Sequence, residues 1–409
     1  MPPSPLHGRL VALTRAGVVI TATVMPLYLV RFKVGPLPTT LLEIAILITL
    51  ALYTATLVVG RGPLPGRTPY EIPIALFLIA GVIGIFVAPD HRSALGIYRA
   101  YLVEPILLFY VVLAVFPRAQ RTEAIFVCVA AATMLFCLVD IVFFARAALA
   151  GHLIPGNVAA AFRLNPNYVA LYLEPLIGFA AGFLFFGPGR TRWFALAALA
   201  LMGPTEILTF SRGGLLALIA LVLLAFVTVR NWPFRIAVVA GGFAAGVIIW
   251  NLPLLGQRIR QSLKPGSGTL FTRERIWVQT VKMLHDHPIF GAGLNGYQTV
   301  MAPYRAADPN SVPEPYPHNI ALTSYTELGV LGLVAFAWIL IGLLVQPWLA
   351  FAKSEGMARA ILWGTGAAFF MIAVHGLVDS PYWKNDLSVE FWLLAAMQIL
   401  ALRATRAAT

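Results

Sequence analysis

The sequence predicts an all-α polytopic integral membrane protein with about twelve transmembrane helices, read as one membrane domain over residues 1–409. Three observations predict it. Hydrophobic residues make up 59% of the chain and charged residues only 11%, where soluble domains carry roughly a quarter charged. Apolar runs of about 20 residues recur from end to end, long enough to cross a hydrocarbon core of about 30 Å. The short connections between the runs place Lys and Arg in alternation, which sets an orientation.

The runs fall at 10–30, 39–59, 70–88, 94–116, 122–146, 167–186, 193–208, 212–229, 234–251, 319–345, 357–378 and 387–402. The first follows Arg9, lacks an A-x-A-like cleavage site and reads as a retained signal-anchor. In the fifth, Cys128 and Cys137 lie among apolar neighbours and read as small hydrophobes, not a disulfide or metal pair. The seventh is short and closely followed by the eighth. With the amino terminus inside, the inner segments carry Arg9/Arg15, Arg61/Arg67, Arg118/Arg121, Arg190/Arg192, Arg230/Arg235, Lys353/Arg359 and Arg403/Arg406. Both termini are then expected in the cytoplasm.

Arg163, Arg212, Arg258, Arg260, Lys264, Arg273, Arg275, Lys282 and Arg305 fall on the exterior face in this topology. Most belong to the long connection 252–318, between the ninth and tenth spans, where short helices are expected. Long loops are translocated regardless of charge, and long ordered loops commonly carry function. A cationic exterior loop points to an anionic ligand at the membrane surface. Contact with lipid headgroups is the plainer reading.

Several motifs lie on that face. Gly291, Gly293 and Gly296 have G-x-G-x-x-G spacing, but the stretch before them reads as an amphipathic helix stopped by Pro288, not as the strand a dinucleotide fingerprint needs. They are expected to form a tight turn. His285 and His287 are a weak metal signal. Arg273 and Trp277 are i,i+4 and share a helix face, and Ile276, Val281 and Leu284 form a stripe able to rest on the membrane domain. "TFSRGG" sets Arg212 at the outer mouth of a span, followed by two glycines that permit close backbone approach. Ionisable groups at that depth are often functional, though an arginine there can simply snorkel. Arg163 precedes another span, which Asn165 or Asn167 could cap.

"PYPHNIALTSYTELGVLG" sets Pro317 at the first helical position and His318 in the first turn. A helix N-terminus and nearby arginines disfavour imidazolium, so His318 is expected neutral and able to accept a proton. Gly329 and Gly332 are expected to let this helix pack closely on a neighbour.

At these residues the chain resembles the O-antigen ligase family. His318-Asn319, nine residues, then Gly329-Val330-Leu331-Gly332 reproduces its H-[N/S]-x9-G-x-x-G motif. Ser211-Arg212-Gly213 is similar to its S-R-G element, and "RERIWVQTVKMLHDHPIFGAGLNGY" to its loop helix, with Arg273 as the matching arginine. "RLNPNYVALYL" resembles its N-P-N element and "HGLVDSP", His375 to Pro381, a late H-x-x-x-D element.

The resemblance implies a GT-C membrane glycosyltransferase of the bacterial inner membrane with its active site facing the periplasm. The donor would be a glycan on undecaprenyl pyrophosphate and the acceptor a sugar hydroxyl of lipid A–core oligosaccharide. Membrane lipids are expected partners; nucleic acid, a metal and other cofactors are not. Pre-organised arginines can stabilise a leaving pyrophosphate by bidentate hydrogen bonds. Arg212 and Arg273 are the candidates for that role, and His318 is the candidate base in a one-step inverting attack. Arg163, Asn167, Ser211, Arg275, Asn319 and Asp379 are expected substrate-binding residues, with Asp379 a rival base or orienting partner. A glycan polymerase would use the same donor with a second lipid-linked chain as acceptor. A transporter would show internal repeats and broken helices at the midplane, neither of which is evident.

Overall fold

The computed structural model describes residues 5–35, 37–60, 62–117, 119–153, 165–251, 256–257, 260, 268–306 and 313–407. In chain order its helices are α1 (Pro5–Thr23), α2 (Leu41–Val59), α3 (Glu71–Val87), α4 (His91–Ile97), α5 (Glu104–Val115), α6 (Glu123–Leu149), α7 (Pro166–Phe186), α8 (Gly189–Leu208), α9 (Arg212–Thr228), α10 (Trp232–Asn251), α11 (Gly268–Asp286), α12 (Tyr297–Ala306), α13 (Ile320–Phe351), α14 (Gly356–Gly376) and α15 (Asn385–Arg406). A π-helical turn, Tyr98–Val103, joins α4 to α5. The all-α expectation needs one amendment: Arg31–Val34 and Leu37–Thr40 pair as a small antiparallel hairpin between α1 and α2.

All twelve predicted runs are helical. Among the described residues, seven helices are long and apolar enough to cross a membrane: α2, the continuous stretch His91–Val115, α6, α7, α13, α14 and α15. Glu71–Val87, Arg212–Thr228 and 235–248 are shorter apolar helices. Cys128 and Cys137 are both free, as expected of two small hydrophobes on α6.

Helices α7 and α14 form the centre. Their backbones meet so closely that a Cβ on Gly182 would overlap the backbone of Gly364, and one on Gly178 would meet Ala368 N at 2.8 Å. Small residues permit this approach, which dispersion then stabilises across a long contact. The two helices share no sequence neighbourhood, yet the packing sets the N-terminus of α7 beside the residues that follow α14. Asn165 caps α7 by accepting from Asn167 N at 2.9 Å, leaving the Asn167 side chain for another role.

The long connection folds back onto the bundle. Met283 and Leu284 of α11 bury against Ala292, Tyr297 and Met301 in a small core of their own. On α11, Ile276 and Leu284 are buried as the stripe predicts, while Val281 is exposed; Thr280 and Met283 complete the buried face. The turn 287–296 wedges between α3 and α13, with Leu294 N donating to Gly84 O at 3.1 Å and Ala292 N to Thr326 O at 2.7 Å. Gly291 and Gly293 have φ of 66° and 77°, as the tight-turn reading of the glycine triplet requires.

Gly329 corrects an expectation. It does not seat a neighbouring helix but interrupts α13, at φ 65° and ψ −169°, and the break receives the turn, with Val330 N donating to Ile289 O at 3.0 Å. Gly332 lies against Leu328 of its own helix. A Cβ at 329 would strain the backbone and strike Ile289 O. Gly329→Ala is therefore expected to destabilise the protein by about 1–3 kcal/mol. Thermal melting in detergent should show a lower midpoint, with faster proteolysis within 287–296; an unchanged midpoint and cleavage rate would contradict this docking.

Candidate functional site

The site is built around one carboxylate. Asp379 lies in the turn between α14 and α15, its side chain only 1% exposed. The turn is held by Val378 N and Asp379 N, both donating to His375 O at 2.9 Å. Asp379 Oδ1 accepts from Ser380 N at 2.9 Å and lies 3.1 Å from His318 Nδ1. Its Oδ2 accepts from Arg273 at 3.1 Å and from Asn167 Nδ2. Asn167 Oδ1 in turn accepts from Ser211 Oγ at 2.5 Å. Ser211 also caps α9 by accepting from Gly214 N at 3.2 Å, so Arg212 follows directly as the first residue of that helix.

Four segments far apart in sequence thus meet Asp379 directly or through one side chain: the start of α7, the start of α9, helix α11 and the residue before α13. Trp277 secures two of them by donating to Pro317 O at 2.8 Å. It is one turn from Arg273, so the shared helix face is realised. Asn319 is the N-cap of α13, accepting from Ala321 N and Leu322 N at 3.0 Å each. Its amide donates to Leu377 O at 2.9 Å. That side chain ties the segment of His318 to the Asp379 turn.

His318 departs from its expectation in two ways. It precedes the helix instead of lying in its first turn, because Asn319 takes the cap and His318 adopts φ 52°. It is also not a neutral imidazole: burial pulls its pKa down, but the hydrogen bonds to Asp379 and Glu314 outweigh that and hold it at about 9. The second carboxylate adds to the first, with Glu314 Oε2 3.1 Å from Nε2. Burial opposes ionisation of Asp379, yet the hydrogen bond and charge of His318, with Arg273 behind them, keep its pKa below the usual carboxylate value. A buried carboxylate needs such partners to remain charged.

Glu314 was invisible to spacing rules. It is four residues before His318, but Pro315 and Pro317 intervene and exclude a helical i,i+4 reading. Two tyrosines were also missed: Tyr316 has its ring 4.9 Å from that of His318, and its hydroxyl donates to Tyr168 Oη at 3.1 Å. Lys384 stands 3.0 Å over the Tyr168 ring; burial pulls its ammonium pKa down to about 8. Arg275 sets its guanidinium 5.3 Å over the Phe271 ring and contributes cationic charge near Arg273. Arg163 lies outside the described residues, as do Arg258 and Lys264. His285 is largely exposed and pairs with Asp286 at 3.4 Å. Among the described residues no group of three His, Cys, Asp or Glu side chains could hold a metal ion.

Residues 197–337 match the sequence model described as O-antigen ligase. That stretch is similar to O-antigen ligases. The matched stretch holds Ser211, Arg212, Arg273, Arg275, His318 and Asn319. Asn167 and Asp379, which join Ser211, Arg273 and His318, lie outside it. A search of curated proteins finds no match.

The His318–Asp379 pair makes the stability of the protein depend on pH. His318 is raised from 6.5 to about 9 on folding, so its stabilising contribution is complete below 6.5 and is lost as pH rises through about 9. On the acid side, the depressed Asp379 pKa means its contribution is lost as pH falls through that depressed value. Melting midpoints of the detergent-solubilised protein should fall across the alkaline window in the wild type. In His318→Gln they should be lower but flat over the same window; a flat wild-type profile would contradict the pairing.

Proposed function

We propose that this protein is an inverting O-antigen ligase that transfers a glycan from undecaprenyl pyrophosphate to a sugar hydroxyl of lipid A–core oligosaccharide. The observation that carries the reading is the convergence of Arg273 and His318 on Asp379, in a chain with several apolar helices whose residues 197–337 match O-antigen ligases. The site lies at the end of the bundle where α7, α9, α13 and α15 begin. The basic connections at the opposite end favour a cytoplasmic location for that end and for both termini. The site then faces the periplasm from the inner membrane, in a GT-C arrangement.

Breaking the bond between the anomeric carbon and the pyrophosphate leaves negative charge on the leaving oxygen. Arg273 is anchored by Asp379 on one side, so its remaining N–H groups are pre-oriented to receive that charge. Arg212 at the start of α9 is the second phosphate ligand, with Arg163 and Arg275 in support. The N-terminus of α9, capped by Ser211, adds a helix dipole that favours an anion. These charges serve the leaving group in a metal-independent reaction.

The acceptor hydroxyl attacks the opposite face of the sugar and must give up its proton. His318, with a carboxylate on each ring nitrogen, links the groups available to take up that proton, and Asp379 orients it. Asp379 is an unsuitable base: it is fully buried and already accepts from four groups.

Reconstitution with purified undecaprenyl-pyrophosphate glycan and lipid A–core tests the reading. The wild type is expected to join the two, with activity unaffected by chelators. Arg273→Lys, which loses the planar fork, should slow transfer by about 100-fold. Products in which one lipid-linked glycan is lengthened by another would identify a polymerase instead, and loss of activity with chelator would overturn the metal-independent step.

A further inference from the structure

Both ring nitrogens of His318 face carboxylates, Nδ1 toward Asp379 Oδ1 and Nε2 toward Glu314 Oε2, each at 3.1 Å. An imidazole removes a proton through a ring nitrogen that presents a lone pair to the substrate. This ring presents none to an approaching hydroxyl. The proton must therefore go to a carboxylate of the array, and the two carboxylates are not equivalent. Asp379 is 1% exposed, with both oxygens saturated by donors. The Glu314 side chain is 34% exposed and touches His318 through Oε2, leaving Oε1 to accept from a hydroxyl.

From this geometry we infer that Glu314 is the catalytic base that receives the acceptor's proton, with His318 and Asp379 aligned behind it as positioning groups. The inference rests on the glycosyl-transfer reading of the same site. In the step, the acceptor O–H bond breaks as its oxygen bonds to the anomeric carbon. The bond from that carbon to the pyrophosphate oxygen breaks, and its electron pair leaves on the phosphate, against Arg273. The proton ends on Glu314 as a carboxylic acid and passes to water from the exposed side.

His318 stays imidazolium throughout, its Nδ1 still facing the Asp379 carboxylate. The charged and titratable groups around it are Asp379 from the turn after α14, Arg273 from α11, and Glu314 and Tyr316 from its own segment. Tyr168 and then Lys384 lie behind Tyr316. At rest Glu314 and Asp379 are offset by His318 and Arg273, so taking up one proton leaves the array with a single positive charge. That charge develops as the pyrophosphate departs.

The test is single-turnover transfer by the reconstituted full chain, comparing wild type with Glu314→Gln, Glu314→Asp and Glu314→Ala. Glu314→Gln is expected to slow transfer by about 100-fold or more, the usual scale for a lost general base. Its donor KM should stay near the wild-type value, and its melting midpoint should fall by less than that of His318→Gln. Glu314→Asp should recover part of the rate, and added formate should raise the rate of Glu314→Ala without affecting wild type. A Glu314→Gln enzyme within threefold of wild type, or a Glu314→Ala enzyme indifferent to formate, overturns the role of Glu314 while leaving the ligase reading intact. A wild type that transfers no glycan to lipid A–core or to a second lipid-linked chain overturns both.

Discussion

Everything at the site depends on keeping one carboxylate charged away from water. A lone buried carboxylate is unstable by several kcal/mol, and Asp379 avoids that cost by drawing in a guanidinium, an imidazolium, an amide and a backbone N–H. Each of those donors comes from a different part of the chain. The need to satisfy Asp379 therefore fixes where α7, α11 and the segment before α13 lie relative to one another. The same four donors would be expensive to leave unpaired, so stability and the geometry of the site are linked through a single side chain.

The bundle supplies the frame for this. The close α7–α14 contact brings Asn167 to the Asp379 turn, and the break at Gly329 seats the turn after α11. The connection is thereby anchored twice, once through backbone at Ile289 and once through Arg273 and Trp277 near the reacting end. A loop held at two points presents its arginine in a defined place, which electrostatic stabilisation of a leaving group requires. On the far side of His318, Tyr316, Tyr168 and Lys384 form a second wall of aromatic and cationic character.

Most of the bundle was legible in the sequence, because hydrophobic length is a direct physical demand of the bilayer and all twelve runs became helices. The hairpin at 31–40 was not, since four-residue strands leave no periodic signal long enough to read. Arg273, His318, Ser211, Asn167 and Asp379 were each identifiable from motif chemistry, but their convergence was not, because it arises from the packing of α7 against α14. The charge state of His318 was misread for the same reason. Helix-terminus arguments concern the local backbone, whereas two carboxylates, one beyond a pair of prolines and the other 61 residues away along the chain, decide the matter. Asn319 is also the N-cap of α13, a role that shows in its hydrogen bonds and not in its identity.

Hydrogen–deuterium exchange of helix α11 in Asp379→Asn, compared with wild type, tests the central claim most directly. If the carboxylate assembles the site, the exchange of 268–286 and of 313–319 should rise together while α7 and α14 stay protected. Unchanged exchange in both segments would show that the connection docks without Asp379, and the account of the site would fail.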